Sequence, residues 1–214
     1  MSPSRRPRIY VLAGVNGAGK SSIGGAAVRQ YGGTYFNPDE AAHTLREKNS
    51  ALAQADANGA AWRQGVRLLK RAIEKHLDFA FETTLGGNTI TSLLVQAAEQ
   101  GIEVRVWYVG LSNPELHIAR VQARVRRGGH DIPAHDIHRR YEHSRLNLIA
   151  LLPFLTTLRM YDNSADANPS AGRTPKLKPV LHMEHGKILG PPDLTSTPSW
   201  AKPIVAAALK LHQS

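Results

Sequence analysis

The chain has no cysteine among its 214 residues. Disulfide scaffolds, zinc–cysteine sites and cysteine nucleophiles are therefore excluded. Aromatic residues are scarce, at 6%, and few lie near the arginine-rich stretch described below. That leaves little for stacking bases and disfavours a kinase of nucleic-acid ends. No apolar run reaches membrane-spanning length, and the apolar stretch 148–158 is broken by Pro153. Behind Arg5, Arg6 and Arg8 the apolar stretch is only about six residues long, shorter than a signal core. A soluble, cytoplasmic protein without a membrane partner is expected. The guanine-reading pattern N-K-x-D and the transporter signature L-S-G-G-Q are both missing, which disfavours a GTPase and a transporter ATPase. Acidic residues are also few, 17 against 27 Lys and Arg, for a formal charge of +10 and a pI near 10.1. Such a balance suits an anionic substrate or partner, or serves solubility in general.

What is present starts at Gly14. The run 14–21 reads G-V-N-G-A-G-K-S, the phosphate-binding pattern G-x-x-x-x-G-K-[ST]. Before it, 8–13 (R-I-Y-V-L-A) reads as a buried strand. After it, 21–30 reads as a helix. Strand, glycine loop and helix are the context the motif requires. Glycines at 17 and 19 let the backbone turn and approach a phosphate, with amide N–H groups converging at a helix start. Gly14, Asn16, Gly17, Ala18, Gly19, Lys20, Ser21 and Ser22 are the expected nucleotide contacts. Lys20 would meet the β- and γ-phosphates, and the Ser21 hydroxyl is the expected Mg²⁺ ligand.

Further strands are expected at 34–36, 79–81, 104–109 and 157–161, alternating with helices. Asn37-Pro38-Asp39-Glu40 reads as a capped helix start. Over 50–77, Trp62, Val66, Leu69, Ile73 and Leu77 share one face and predict a core-facing stripe, with a break possible at Asn58-Gly59. Asn88 is the expected cap of a helix ending near Gly101, and Ser112 with Glu115 the expected capping box of the next. Pro133 opens a helix running to about Leu152. The run 165–214 is a proline-rich extension, read as loops, a hairpin around Gly186 and a terminal helix. With 42% hydrophobic residues, one α/β domain with a mainly parallel sheet is expected, residues 1–164 forming its core. Ligands bind beyond the carboxyl ends of such strands.

Several residues fall there. Asp39 is the candidate general base for an acceptor hydroxyl; it also suits a helix start. Glu82 is a candidate for holding the acceptor or a magnesium-bound water, against the simpler role of a buried acid. Thr83 and Thr84 add hydroxyls. Arg120, Arg124, Arg126, Arg127, Arg139 and Arg140 lie on two helices joined by Gly128-Gly129. They read as a lid over about 120–145 whose guanidinium groups offset phosphoryl charge. His130 either contacts substrate or orders the turn. These residues favour a small-molecule kinase. A non-catalytic, nucleotide-dependent switch that binds RNA or protein is the alternative.

Together the pieces resemble the zeta toxin family of P-loop kinases, in its chromosomal branch. They are G-V-N-G-A-G-K-S, N-P-D-E at 37–40, F-E-T-T-L at 81–85, R-V-R-R-G-G-H-D-I-P at 124–133, R-R-Y-E-H-S-R-L-N-L at 139–148 and Y-D-N-S at 161–164. The resemblance implies a parallel five-stranded sheet in the order 2-3-1-4-5 with helices on both faces. It implies ATP and Mg²⁺, with transfer of the γ-phosphate to a hydroxyl of a UDP-N-acetyl amino sugar. By it Asp39 is the base, Lys20 the loop lysine, and Glu82 and Thr84 the acceptor pair. The family's two lid arginines fall among Arg124, Arg127, Arg139 and Arg140; Arg124, Arg127 and Arg140 are taken as catalytic candidates, with His130 beside the acceptor. An antitoxin partner follows by analogy only.

Overall fold

The structure is a computed structural model that describes residues 5–20, 34–165 and 177–213. The expected helix at 21–30, with Ser21 and Ser22, lies outside the described residues.

β1 (Arg8–Ala13) runs through the centre of the sheet. Its side chains alternate between two apolar layers. Ile9, Val11 and Ala13 join the main core, while Tyr10 and Leu12 pack with Ala80 on the opposite face. Both faces of the strand are therefore apolar, as a central parallel strand requires. β1 pairs in parallel with β3 (Phe79–Thr83) and β4 (Glu103–Gly110). β2 (Thr34–Phe36) lies outside β3, and β5 (Thr157–Asp162) outside β4, again in parallel.

The sheet has seven strands rather than five, in the order β2-β3-β1-β4-β5-β6-β7. The five strands read from the sequence keep the order 2-3-1-4-5. β6 (Lys178–Glu184) and β7 (Lys187–Gly190) add an antiparallel hairpin beyond β5. The correction has a physical reason. Ending the sheet at β5 would leave an open row of backbone donors and acceptors, which the hairpin pairs.

Among the described residues the α-helices are α1 (Pro38–Lys48), α2 (Gln54–Glu74), α3 (Asn88–Glu99), α4 (Pro114–Val125), α5 (Ala134–Leu151) and α6 (Lys202–Gln213). α1 starts as its sequence dictates: Asn37 Oδ1 accepts from Asp39 N at 2.9 Å. Elsewhere the caps move by one residue. Gly87, not Asn88, caps α3. Asn113, not Ser112, caps α4, accepting from Leu116 N at 2.8 Å. α2 does not break at Asn58-Gly59. Ala57 and Ala61 pack on Ala42 of α1, and that burial offsets a glycine penalty of about 1 kcal/mol. Gly65 makes room for Phe36: a Cβ there would sit 2.8 Å from the Phe36 ring. The apolar stripe on α2 is only half core. Leu69 and Ile73 are buried, but Trp62 is 49% exposed.

The C-terminal segment closes against the strand ends. Trp200 is buried and stacks near Tyr108, with ring centroids 6.1 Å apart. It lies so close to Gly110 that a Cβ there would sit 2.3 Å from the indole. Behind the glycine loop, His117 of α4 is fully buried. Its Nδ1–H donates to the carbonyl of Asn16 at 2.8 Å, and its ring meets Tyr141 edge-on. Burial pushes the imidazole down to about 4, against the opposing pull of that hydrogen bond, with Lys20 and Arg120 adding like charge.

Two outcomes follow from this packing. Trp200→Ala should cost about 3–5 kcal/mol, the range for deleting a buried indole, read as a lowered midpoint in urea. His117 should also make stability pH-dependent. Its native pKa lies below the unfolded value of 6.5, so the unfolded chain binds more protons between the two. Stability is then full above about pH 6.5 and falls as pH drops towards 4, by about 3 kcal/mol. Urea titrations at pH 7 and pH 4.5 measure this, and His117→Gln should flatten that part of the slope.

Candidate active site

The loop after β1 is held open by its glycines. Gly14, Gly17 and Gly19 have φ of 136°, 81° and 89°, which side chains with a Cβ resist. At Gly14 space is equally decisive: a Cβ would stand 2.1 Å from the carbonyl oxygen of Val109 in β4. Gly14 N donates to Thr83 O at 3.2 Å, tying the loop to β3 as well. Asn163, after β5, donates from Nδ2 to Ala18 O at 2.8 Å. Lys20 Nζ donates to Gly14 O at 2.7 Å across the loop. Burial lowers the Lys20 pKa, opposed by Glu82 and Asp39 and assisted by Arg124 and Arg140. A desolvated ammonium wrapped by its own loop is poised for an anion to replace lost water.

A cleft of about 510 Å³ extends from this loop towards β2 and β3, and Asn16, Lys20, Asp39, Glu82, Thr84, His130 and Arg140 all line it. Asp39, half exposed at the start of α1, faces Arg124 Nη1 at 3.5 Å and His130 Nε2 at 3.9 Å. Arg124 also donates to His130 O at 3.1 Å, and Gly129 leaves no room for a Cβ beside the Arg124 chain. The Gly-Gly turn thus lets Arg124 fold back and join the ends of β2 and the α4–α5 connection. Burial lowers the pKa of His130, with Asp39 opposing and Arg124 assisting. Arg140 Nη1 donates to Asn16 Oδ1 at 2.8 Å. Burial is the main cause of its lowered pKa, against the pull of Asp136.

The remaining arginines part company. Arg127 is exposed and does not line the cleft. Arg139 pairs with Asp136 at 2.6 Å on the surface of α5. Arg120 turns the other way and donates to Asn163 O at 2.8 Å, steadying the segment that holds Ala18. The run of arginines is therefore divided among three jobs.

Glu82 is buried at the end of β3. Its Oε1 accepts from the Tyr35 hydroxyl and from Asn37 Nδ2, the latter at 3.3 Å. Thr84 Oγ1 accepts from Gly86 N at 3.3 Å and shapes the turn. Tyr35 and His117 were not singled out from the sequence; Asn37 was read only as a helix cap, and Asn163 only as part of the Y-D-N-S piece. For Asn37 a signal existed: β2 and β3 pair with Phe36 opposite Phe81, so the next residues, Asn37 and Glu82, stand side by side. His117 offered none, and the Y-D-N-S piece gave Asn163 no role, because their partners are backbone carbonyls distant in sequence.

The arrangement places a phosphate loop with its lysine, a half-exposed carboxylate and Arg140 along one cleft, with Arg124 paired to that carboxylate. The loop fits a nucleotide triphosphate by its open glycine backbone and buried ammonium. Ser21, the expected metal ligand, lies outside the described residues. Among those described, no group of three or more acidic or His side chains could hold a metal by itself.

Comparisons with known proteins bear on the fold and the family. A Haemophilus influenzae protein described as uncharacterized is 35% identical over 131 residues, covering 60% of this chain and 88% of its own. A chain of the AvrRxo1-ORF1:-ORF2 complex crystallised with ATP superposes with a TM-score of 0.67 at 15% identity, covering 96% of this chain. The present chain spans only 64% of that one. A chain of the PezAT chromosomal toxin–antitoxin system of Streptococcus pneumoniae gives 0.56 at 15% identity, covering 99% of this chain and 88% of that one. At such identities these structures establish the α/β fold. The family model described as Zeta toxin matches residues 1–152, well over half the length. The chain belongs to the zeta toxin family.

Proposed function

We propose that the chain is an ATP-dependent phosphotransferase that moves the γ-phosphate to a hydroxyl of a small acceptor. The observation that carries this reading is the placement of Asp39. Its carboxylate lies in the same cleft as Lys20, with Arg124 at 3.5 Å and Arg140 on the loop side.

The ATP phosphates lie on the loop from Gly14, with Lys20 turned towards the β- and γ-groups. The acceptor enters from the β2–β3 side, past Glu82 and Thr84. Its hydroxyl oxygen attacks the γ-phosphorus, the bond to the ADP oxygen breaks, and the hydroxyl proton passes late to Asp39. Arg124 pairs with Asp39 at 3.5 Å. An arriving triphosphate is the stronger anion and draws Arg124 to itself, which frees Asp39 to accept the proton. Arg140, anchored through Asn16, neutralises the transferring group from the loop side. Arg127, exposed and outside the cleft wall, is left out of the set. His130, its pKa lowered by burial, serves as a neutral contact beside Asp39. Ser21 would hold Mg²⁺, which would supply charge neutralisation at the phosphates. An ATP donor fits a cytoplasmic setting. A neutralising protein partner is proposed with it, on the likeness to the PezAT toxin–antitoxin system.

The test is transfer of label from γ-labelled ATP, with Mg²⁺, to a panel of UDP-N-acetyl sugars, free sugars, nucleosides and short RNAs. Label should appear in a small hydroxyl compound and be lost in Lys20→Ala. Asp39→Asn should retain ATP binding while turnover falls by about 10²–10⁴-fold, the share of a general base. Near-normal turnover in Asp39→Asn would remove Asp39 as the base. ATP-dependent capture of RNA or protein, with no label in any compound, would favour a nucleotide switch instead.

A further inference from the structure

Asn37 links the two acids on the acceptor side of the cleft. It is buried one residue beyond Phe36 of β2, and Glu82 stands one residue beyond Phe81 of β3. The parallel register of those strands sets Asn37 and Glu82 side by side. In the chain direction Asn37 opens α1, whose second residue is Asp39.

The two ends of the Asn37 amide do different work. Oδ1 accepts from Asp39 N at 2.9 Å and from Glu40 N at 3.4 Å. Nδ2 donates to Glu82 Oε1 and to Glu40 Oε1, each at 3.3 Å. The partners dictate this orientation, because backbone N–H groups need an acceptor and carboxylates need a donor. A helix cap alone does not require an amide. Ser and Asp cap about as well as Asn. Asp has no donor to offer, however, and a Ser hydroxyl ends one bond short of Nδ2. What Asn adds to the cap is the reach to Glu82.

Glu82 needs such a hold. It is 5% exposed, yet it lines the cleft. A buried carboxylate is costly unless donors replace the water it lost. The Tyr35 hydroxyl donates to the same Oε1, so two side chains from the end of β2 fix one oxygen of Glu82. Glu82 and Asp39 both act on Lys20, each opposing the effect of burial on its ammonium. Lysine, base and Glu82 thus form one electrostatic unit. Asn37 bonds to Asp39 at the main chain and to Glu82 at the carboxylate.

We infer that Asn37 is a positioning residue that sets the Glu82 carboxylate relative to Asp39, so that an acceptor passing Glu82 brings its hydroxyl to the base. Tyr35 shares the task by holding the same oxygen. The inference rests on the kinase reading for Asp39, and on the hydrogen bonds of Glu82 for the positioning.

The experiment uses the full chain, γ-labelled ATP and UDP-N-acetylglucosamine, or whichever free sugar, nucleoside or short RNA takes more label. Asn37→Ser keeps the cap and drops the donor to Glu82. It should lower kcat/KM for the acceptor by roughly tenfold to a hundredfold, the scale of a displaced reacting group, with the KM for ATP held. Tyr35→Phe leaves α1 untouched and should act in the same direction. Glu40→Ala loses only the exposed partner of Nδ2 and should stay near the parent. In a Glu82→Gln background the loss from Asn37→Ser should shrink, since its route of action is already broken. If Asn37→Ser does not fold, Tyr35→Phe and its pairing with Glu82→Gln decide in its place. Unchanged kcat/KM in Asn37→Ser overturns the inference and leaves the kinase standing. So does a loss that multiplies in full with that of Glu82→Gln. So does a loss matched by an equal fall in folded protein with both KM values held, which is the pattern of a helix cap alone. No transfer by the parent chain to any compound overturns the kinase reading, and the inference with it.

Discussion

The site depends on how Asn16 is held. Its main-chain carbonyl accepts from the buried His117, and its side-chain oxygen accepts from Arg140. One residue of the phosphate loop therefore joins the helix beneath it to the arginine above it. A loop of glycines has little preference of its own, since Gly loses more backbone entropy than other residues on ordering. Order must come from outside. Here it comes from His117 below, from Asn163 at Ala18, and from Val109, which presses on Gly14. The amide groups can then face a phosphate without reorganising when it arrives, which is where electrostatic catalysis gains most.

The same logic explains why arginines adjacent in sequence do different work. On α4, Arg120 and Arg124 are four residues apart and share a face, yet one grips the backbone after β5 and the other folds over Asp39. The separation comes from the chain around them. Gly129 lies against the stem of Arg124 and permits the bend, whereas Arg120 sits where Asn163 leads away from β5. Helical periodicity gives direction at Cβ only; a long side chain then goes wherever a carbonyl or carboxylate is unpaired.

Much of this was legible before the structure. The strand–loop–helix grammar located Gly14 to Lys20, and the cap at Asn37 gave Asp39 its position because capping is local. The order 2-3-1-4-5 came through resemblance. The hairpin's place beyond β5 did not come through, because a pairing partner chosen across the connection at 163–177 leaves no periodic trace. His117 was invisible for a similar reason. A lone histidine reads the same whether it faces water or a carbonyl. Trp62 misled in the opposite way. Its spacing from Leu69 and Ile73 matched a core stripe, and periodicity carries no information about where the protein ends and the cleft begins.

Charge shows the same limit at larger scale. A sum of +10 invites a uniformly basic site, but the cleft is divided. Its loop end brings Lys20 and Arg140 together, with Arg124 paired to Asp39 beside them. Its far end presents amides, hydroxyls and an indole. A triphosphate and a second anion brought together would repel at the distance where transfer must occur, roughly 4 Å, at about 4 kcal/mol per pair of unit charges in a protein-like dielectric. Cations gathered at the loop end lower that cost where the phosphates would lie. Binding energy from remote parts of an acceptor can then serve to hold its hydroxyl in line with the γ-phosphorus.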